Sequence, residues 1–105
     1  MLQIIQEMEI LDFVKELDGE LTLVDFWAPW CGPCKVLHPI LDKLQSNNPD
    51  LKIIKVNVDE SSDLTKEFGI RTIPTVVFFK GEGEVERISG AQQGSRFQEI
   101  IDGLK

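Results

Sequence analysis

The spacing of apolar residues changes repeatedly along the chain, as expected when helices alternate with strands. Apolar residues recur three and four positions apart over Ile10–Leu17 and Val36–Leu44, and this period predicts two amphipathic helices. Nearly continuous apolar, β-favouring runs over Leu21–Trp27 and Leu51–Val58 predict strands that are covered on both faces. The first half of the chain is therefore predicted to alternate helix and strand.

The second half of the chain has a different rhythm. A short helix is predicted to start after Ser61 or Ser62, both candidate N-caps, and to end at Gly69. Thr75–Phe79 and Val85–Ile88 have the composition of strands, and a Gly-Glu-Gly turn lies between them. Two such runs joined by a short Gly-rich turn predict a β-hairpin.

The two ends of the chain complete the predicted architecture. Ser95–Gln98 has the form of a capping box and is predicted to open a final amphipathic helix. The opening residues Leu2–Ile5 are predicted to add a short edge strand. Strand–helix units followed by a hairpin and a closing helix indicate an α/β protein whose mixed central sheet carries helices on both faces.

Length and composition restrict the functions that this architecture can serve. With 105 residues, the chain is predicted to form one domain over residues 1–105. A net charge of −7 and the lack of a basic run argue against nucleic-acid binding. The longest purely apolar run, Val76–Phe79, is too short to cross a membrane, and the first residues do not resemble a secretory signal. A cytoplasmic location is therefore expected.

The two cysteines lie three positions apart, between a predicted strand and a predicted helix. Cys31 is expected at the start of the helix, where unpaired N–H groups and the helix dipole favour a thiolate over a thiol. Cys34 follows one turn later on the same face, close enough to bridge Cys31. Disulfide exchange needs such a pair, in which an exposed thiolate attacks and a shielded thiol resolves the mixed disulfide.

A metal site is the alternative interpretation of the cysteine pair. Cys31, Cys34 and His38 share one helical face and are the best set of metal ligands that the chain offers. Structural zinc sites normally have four ligands, however, and a Cys-x-x-Cys motif in an α/β pattern is more typical of redox chemistry. The prediction is therefore a redox pair and no metal.

Asp25 interrupts an apolar strand, on the face that it shares with Leu23 and Trp27. One interpretation is a solvated charge on an edge strand. The other is a partly buried carboxyl beneath the cysteines, whose pKa is raised by desolvation so that it can exchange a proton with Cys34. We expect the second, because acidic residues are rare within such apolar runs.

Three segments carry a resemblance to the thioredoxin family: Trp27–Lys35 matches the active-site stretch, Arg71–Thr75 the conserved proline loop, and Gly90-Ala91 the end of the last strand. Asp25 and Phe26 precede the active-site stretch, as they do in the family. The resemblance covers essentially the whole chain. It implies a thioredoxin fold, with about five strands and about four helices. It also implies an electron carrier and general protein-disulfide reductase, which a thioredoxin reductase reduces in turn and which needs no bound cofactor.

The resemblance also implies roles for individual residues. Cys31 is expected to be the nucleophile and Cys34 the resolving thiol, with Lys55 as the charged companion of Asp25. A snorkelling lysine is the alternative for Lys55. The peptide bond before Pro74 is expected to be cis. Trp27 is expected to pack against the site. Seven residues are predicted to form a flat, mostly apolar surface that binds client disulfides: Trp30, Gly32, Pro33, Ile73, Pro74, Gly90 and Ala91.

One departure from the family concerns His38, since many relatives carry a small or apolar residue at this position. A histidine there is expected to alter the polarity behind the active site. The expected partners are a thioredoxin reductase and disulfide-containing client proteins, and the chain is expected to be a monomer. A non-catalytic binding module that uses the same apolar surface stays open as a rival function.

Overall fold

The computed structural model describes residues 2–5, 17, 20–81 and 83–104. The described strands are β1 (Leu2–Ile5), β2 (Leu21–Trp27), β3 (Lys52–Asn57), β4 (Thr75–Lys80) and β5 (Gly83–Ser89). The described helices are α1 (Gly32–Asn47), α2 (Ser62–Glu67) and α3 (Gly94–Leu104). The helix predicted over Ile10–Leu17 lies, apart from Leu17, outside the described residues.

The five strands form one mixed sheet in the order β1-β3-β2-β4-β5. β3 pairs in parallel with β1 and β2, whereas β4 pairs antiparallel with β2 and β5. The edge strand predicted at Leu2–Ile5 and the hairpin predicted from the second half are both confirmed. β2 is thus the middle strand of the sheet, and its carboxyl end leads directly into the cysteine segment.

Each face of the sheet is covered by a separate apolar core. On one face, buried side chains of α1 and α3, among them Leu37 and Phe97, pack against Leu23 and Ile53 of the sheet. On the other face, Leu17 and Leu64 of α2 pack against the alternate strand positions. Because side chains alternate along a strand, Asp25 shares the α1-covered face with Leu23.

Hydrogen bonding at the ends of the helices differs in part from the predictions. The predicted final helix is present as α3, but it begins at Gly94, one residue before the Ser95 that was predicted as its N-cap, and the Gln98 amide hydrogen-bonds elsewhere. It exchanges two hydrogen bonds with Asn48 at the end of α1, of 2.7 and 3.1 Å. Ser61 is the N-cap of α2, but its side chain makes no capping hydrogen bond. Gly69 follows the end of α2 with φ +62°, as its type predicts.

Among the described helices, none has the length and apolar content needed to cross a membrane.

Candidate active site

Cys31 and Cys34 form a disulfide at the first turn of α1, with their Cα atoms 5.3 Å apart. Cys31 is the N-cap of the helix, and the backbone N–H of Cys34 donates a 3.2 Å hydrogen bond to Cys31 Sγ. Pro33 stands within the first turn, where its missing N–H costs no helical hydrogen bond. The sulfur of Cys31 therefore lies at the positive end of the helix dipole, as the sequence predicts.

The exposure of the two cysteines is unequal, although both are largely enclosed in the disulfide form. Cys31 retains 5% of its surface and Cys34 none. Both pack against Ala28, and the partly buried side chains of Trp27 and Ile73 complete their surroundings. The order of exposure follows the sequence prediction, but Cys31 is more enclosed than an exposed nucleophile was expected to be.

Asp25 is fully buried in the middle of the sheet. Neither of its carboxyl oxygens has a hydrogen-bond partner among the described residues. Desolvation raises the pKa of Asp25 to about 7, partly offset by the positive charge of Lys55. The interpretation as a solvated carboxyl on an edge strand is therefore wrong, and burial favours the protonated form of this group.

Lys55 faces Asp25 across the parallel β2–β3 ladder, where the two residues are register partners. Its ammonium group is almost fully buried and lies 3.7 Å from Asp42 Oδ1. Lys55 therefore acts on Asp25 through its charge, while its direct ion pair is with Asp42. Composition did not single out Asp42, but its position one turn beyond His38 on α1 is visible in the sequence.

His38 projects from α1 toward β2. Its Nε2 lies 3.5 Å from Asp25 Oδ2, and about a quarter of the side chain is exposed, against none for Asp25. The imidazole also packs edge-on against Trp27, with 5.0 Å between ring centroids. Burial, and next the charge of Lys55, lower the pKa of His38 despite the opposing effect of Asp42. The sequence predicts that His38 alters the polarity behind the active site, and in the structure its imidazole faces the buried carboxyl of Asp25.

Trp30 is the most exposed large apolar residue of the described chain, with 69% of its surface accessible. Its indole Nε1 donates a 2.8 Å hydrogen bond to Asp59 Oδ2, and the backbone N–H of Asp59 donates to Asn57 Oδ1 at 2.9 Å. The sequence reasoning missed Asp59 and Asn57. The sequence carries a signal for both residues, because they lie at the carboxyl end of the buried strand β3, and α/β sites form at that edge of a parallel sheet.

The remaining predicted surface residues come from the first turn of α1, from the proline loop and from the segment after β5. The Ile73–Pro74 peptide bond is cis, as expected. The Gly90 N–H donates to the Pro74 carbonyl at 2.8 Å, and Gly90 has φ +89°, which favours glycine. Pro74 itself is buried and Ile73 half-buried, so Pro74 contributes to the shape of this surface more than to its area. Three further members are exposed: Gly32, Pro33 and Ala91.

The metal interpretation finds no support in the arrangement of side chains. Within the described residues, no group of three or more His, Cys, Asp and Glu side chains is placed to hold a metal ion. His38 is directed at Asp25, and the two cysteine sulfurs are bonded to each other.

A family model described as thioredoxin matches residues 4–103 of the chain. The chain belongs to the thioredoxin family. It is 46% identical over 88 residues to thioredoxin 1 of a Nostoc species, an alignment that covers 82% of either chain. It is 51% identical over 70 residues to the chloroplastic M-type thioredoxin of Chlamydomonas reinhardtii, which covers 66% of this chain and 50% of that relative.

The fold of this thioredoxin-family chain is shared with solved thioredoxin structures. Malassezia sympodialis thioredoxin superposes with a TM-score of 0.86 at 34% identity, over 97% of this chain and 91% of that one. Together with the disulfide at the start of α1, these relatives identify a dithiol–disulfide oxidoreductase whose redox-active pair is Cys31 and Cys34. The chain spans about half the length of the M-type relative and most of the length of the Nostoc one.

Proposed function

We propose that the protein is a general protein-disulfide reductase and that Cys31 is its nucleophile. The position of the Cys31 sulfur, at the N-cap of α1 and 3.2 Å from the Cys34 N–H, is the observation that carries this proposal. A backbone N–H and the helix dipole favour negative charge on that sulfur. The Cys31 thiolate attacks one sulfur of a client disulfide, a new S–S bond forms, and the other client sulfur leaves as a thiolate.

Cys34 then resolves the mixed disulfide. Its S–H proton passes to the Asp25 carboxylate, and the resulting thiolate attacks Cys31 Sγ. The Cys31–Cys34 disulfide forms, the second client sulfur leaves as a thiolate, and two electrons have moved from the protein to the client. Full burial of Cys34 and Asp25 supports this division of roles, since a buried carboxyl with a pKa of about 7 accepts and returns a proton near neutral pH.

The apolar surface around the disulfide is the proposed binding site for client proteins. Its exposed members come from the start of α1 and the end of β5, and Ile73 packs against the cysteines from the proline loop. The hydrogen bond from Trp30 to Asp59 supports a fixed orientation of the most exposed ring. An exposed apolar surface suits a protein that accepts many different clients.

A thioredoxin reductase is the proposed electron source, since the oxidised pair must be reduced again after each turnover. This partner, like the client proteins, is inferred from the family to which the chain belongs. A reducing compartment keeps such a pair in its dithiol state, which supports the cytoplasm as the proposed location.

Replacing Cys34 by serine should trap the proposed intermediate. In Cys34→Ser, Cys31 still attacks a client disulfide, but the resolving thiol is missing, so covalent adducts should accumulate in a cell extract and be released by dithiothreitol. Non-reducing gels followed by mass spectrometry measure them. In parallel, the parent chain should speed the reduction of insulin by dithiothreitol, and the variant should not.

Cys31→Ser is the matched control, because it keeps Cys34 and removes the proposed nucleophile. It should form few adducts and show no reductase activity. Equal trapping by the two variants would contradict the assignment of Cys31 as nucleophile, and a lack of adducts from Cys34→Ser would contradict the two-cysteine mechanism.

A further inference from the structure

The Asp25 carboxyl is enclosed on every side that the described structure resolves. Both oxygens are buried and have no hydrogen-bond partner in the part of the chain that the structure describes, and the register partner on β4 is the apolar Val76. When protonated, this group cannot act as a base. Losing its proton inside the protein creates a buried negative charge, which is costly unless a positive group lies beside it.

His38 is placed to accept that proton. Its Nε2 is buried, lacks a hydrogen-bond partner among the described residues, and lies 3.5 Å from Asp25 Oδ2. His38 follows Cys34 by four residues, so both lie on one face of α1, and Trp27 of β2 packs against His38 and against the cysteine cluster. A neutral imidazole has a lone pair on one ring nitrogen that can accept a proton. Burial and the charge of Lys55 lower the pKa of His38, so a proton on the ring is held weakly and is passed on readily.

Lys55 cannot replace His38 in this role. It faces Asp25 from β3, but an ammonium group has no lone pair to accept a proton, and its direct partner is Asp42 on α1. Among the described residues, Lys55 and Asp42 act on the pair through their charges, Cys34 lies one turn before His38 on α1, and β4 contributes the apolar Val76. His38 is therefore the group beside Asp25 that is both a proton acceptor and partly exposed.

We propose that His38 carries the proton of Asp25 out to water, which returns the buried carboxyl to the carboxylate form that Cys34 needs. The proposal rests on the proposed role of Asp25. The proton moves from Asp25 Oδ2 to His38 Nε2 and leaves a buried carboxylate–imidazolium pair. The carboxylate then takes the Cys34 proton, and the imidazolium loses its own to water at its exposed edge. No electrons move in these steps, and His38 acts through Asp25 as a positioning residue.

The pH dependence of the resolving step tests this proposal. The full reduced chain reduces insulin in single-turnover stopped-flow experiments from pH 5.5 to 9, with tryptophan fluorescence as the readout. The limiting rate at saturating insulin reports the resolving step, since the attack by Cys31 is bimolecular. In His38→Ala, the carboxyl of Asp25 loses its path for releasing a proton. The resolving rate should therefore fall by about tenfold or more at pH 6, where the carboxyl holds its proton, and should be unchanged at pH 9.

His38→Gln separates proton transfer from a hydrogen bond, because the amide fills the site without accepting a proton. It should behave like His38→Ala, and recovery of the parent profile by glutamine would overturn the proposal. An unchanged rate at pH 9 and an unchanged near-UV spectrum show that the variants keep their fold.

Asp25→Asn distinguishes failure of this inference from failure of the proposed function. If the asparagine variant loses the acidic limb while His38→Ala keeps the parent profile, the relay is wrong and the role of Asp25 stands. If the asparagine variant itself keeps the parent profile, Asp25 is not the proton acceptor, and both proposals fail. If both single variants are slowed at pH 6 and the double variant is no slower than Asp25→Asn, the two residues act in one path, as proposed.

Discussion

At the scale of single residues, the Asp25 carboxyl couples folding to pH. Its pKa is about 7 in the folded chain, against 3.8 for an unperturbed aspartate, mainly because of burial. Below pH 3.8 the carboxyl is protonated in both the folded and the unfolded state and adds no pH dependence to the stability. Between the two values the folded state keeps a proton that the unfolded state has lost, so stability falls as the pH rises. Above the higher value the penalty is complete, at about 4 kcal/mol for a shift of this size.

Asp25→Asn should remove this penalty. The amide is nearly isosteric with the protonated carboxyl, so the variant and the parent should have similar stabilities near pH 4. At pH 8 the variant should have gained up to about 4 kcal/mol relative to the parent. Urea unfolding of the oxidised proteins at both pH values measures the difference. Asp50→Asn, at an exposed position, is the matched control and should show no such change. A gain that is equal at both pH values would show that the carboxyl charge is not its cause.

At the scale of secondary-structure elements, α1 connects the chemistry to the core. Its first turn holds the disulfide, and one long face presents Cys34, His38 and Asp42 at intervals of four residues. Apolar spacing predicted this helix, and the chain order predicted a sheet beneath it. The contact between His38 and Asp25 could not be predicted in this way, because it also depends on α1 lying over β2 and β3. Local spacing does not show which elements distant in sequence pack against each other.

Helix boundaries were harder to predict than helix faces, because side chains near helix ends choose between local and distant partners. The sequence of Ser95–Gln98 permits a capping box, yet the Gln98 amide pairs with Asn48 on α1. Val36 belongs to the apolar period but is exposed, since it lies at the edge of the covered stripe. The buried positions Leu37, Leu41 and Leu44 follow the predicted period.

The amide pair between α1 and α3 should contribute measurably to stability. Asn48 is buried, and its Nδ2 donates both to Gln98 Oε1 at 2.7 Å and to the Leu44 carbonyl at 2.9 Å. Gln98→Ala leaves the Asn48 Oδ1 acceptor without this partner, so the free energy of unfolding should fall by about 1–2 kcal/mol in urea titrations. Glu99→Ala on the same helix is the control, because its exposed 3.9 Å contact with Arg96 should be worth little. Equal effects of the two variants would mean that helix propensity, not the amide pair, sets the change.

At the scale of the whole molecule, charge and exposed apolar surface together determine how the chain meets other proteins. The net charge of −7 repels like-charged copies and disfavours phosphate backbones. The exposed large apolar residues in the described part of the chain are Trp30, Val36 and Val85, of which Trp30 lies in the proposed client surface. Such a distribution favours short-lived contacts with clients over permanent assembly.

The protein should therefore be a monomer whose self-association is weak. Sedimentation velocity from about 5 to 500 μM in moderate salt should give one species of about 12 kDa, in keeping with the chain mass of 11.9 kDa. If copies do associate, the exposed ring of Trp30 is the most favourable contact. Trp30→Ser should then abolish a dimer that forms through the client surface. Val85→Ser, on β5, is the matched control for loss of an exposed apolar side chain elsewhere. A dimer that persists at 5 μM in all three proteins would contradict the monomer and place the interface outside both positions.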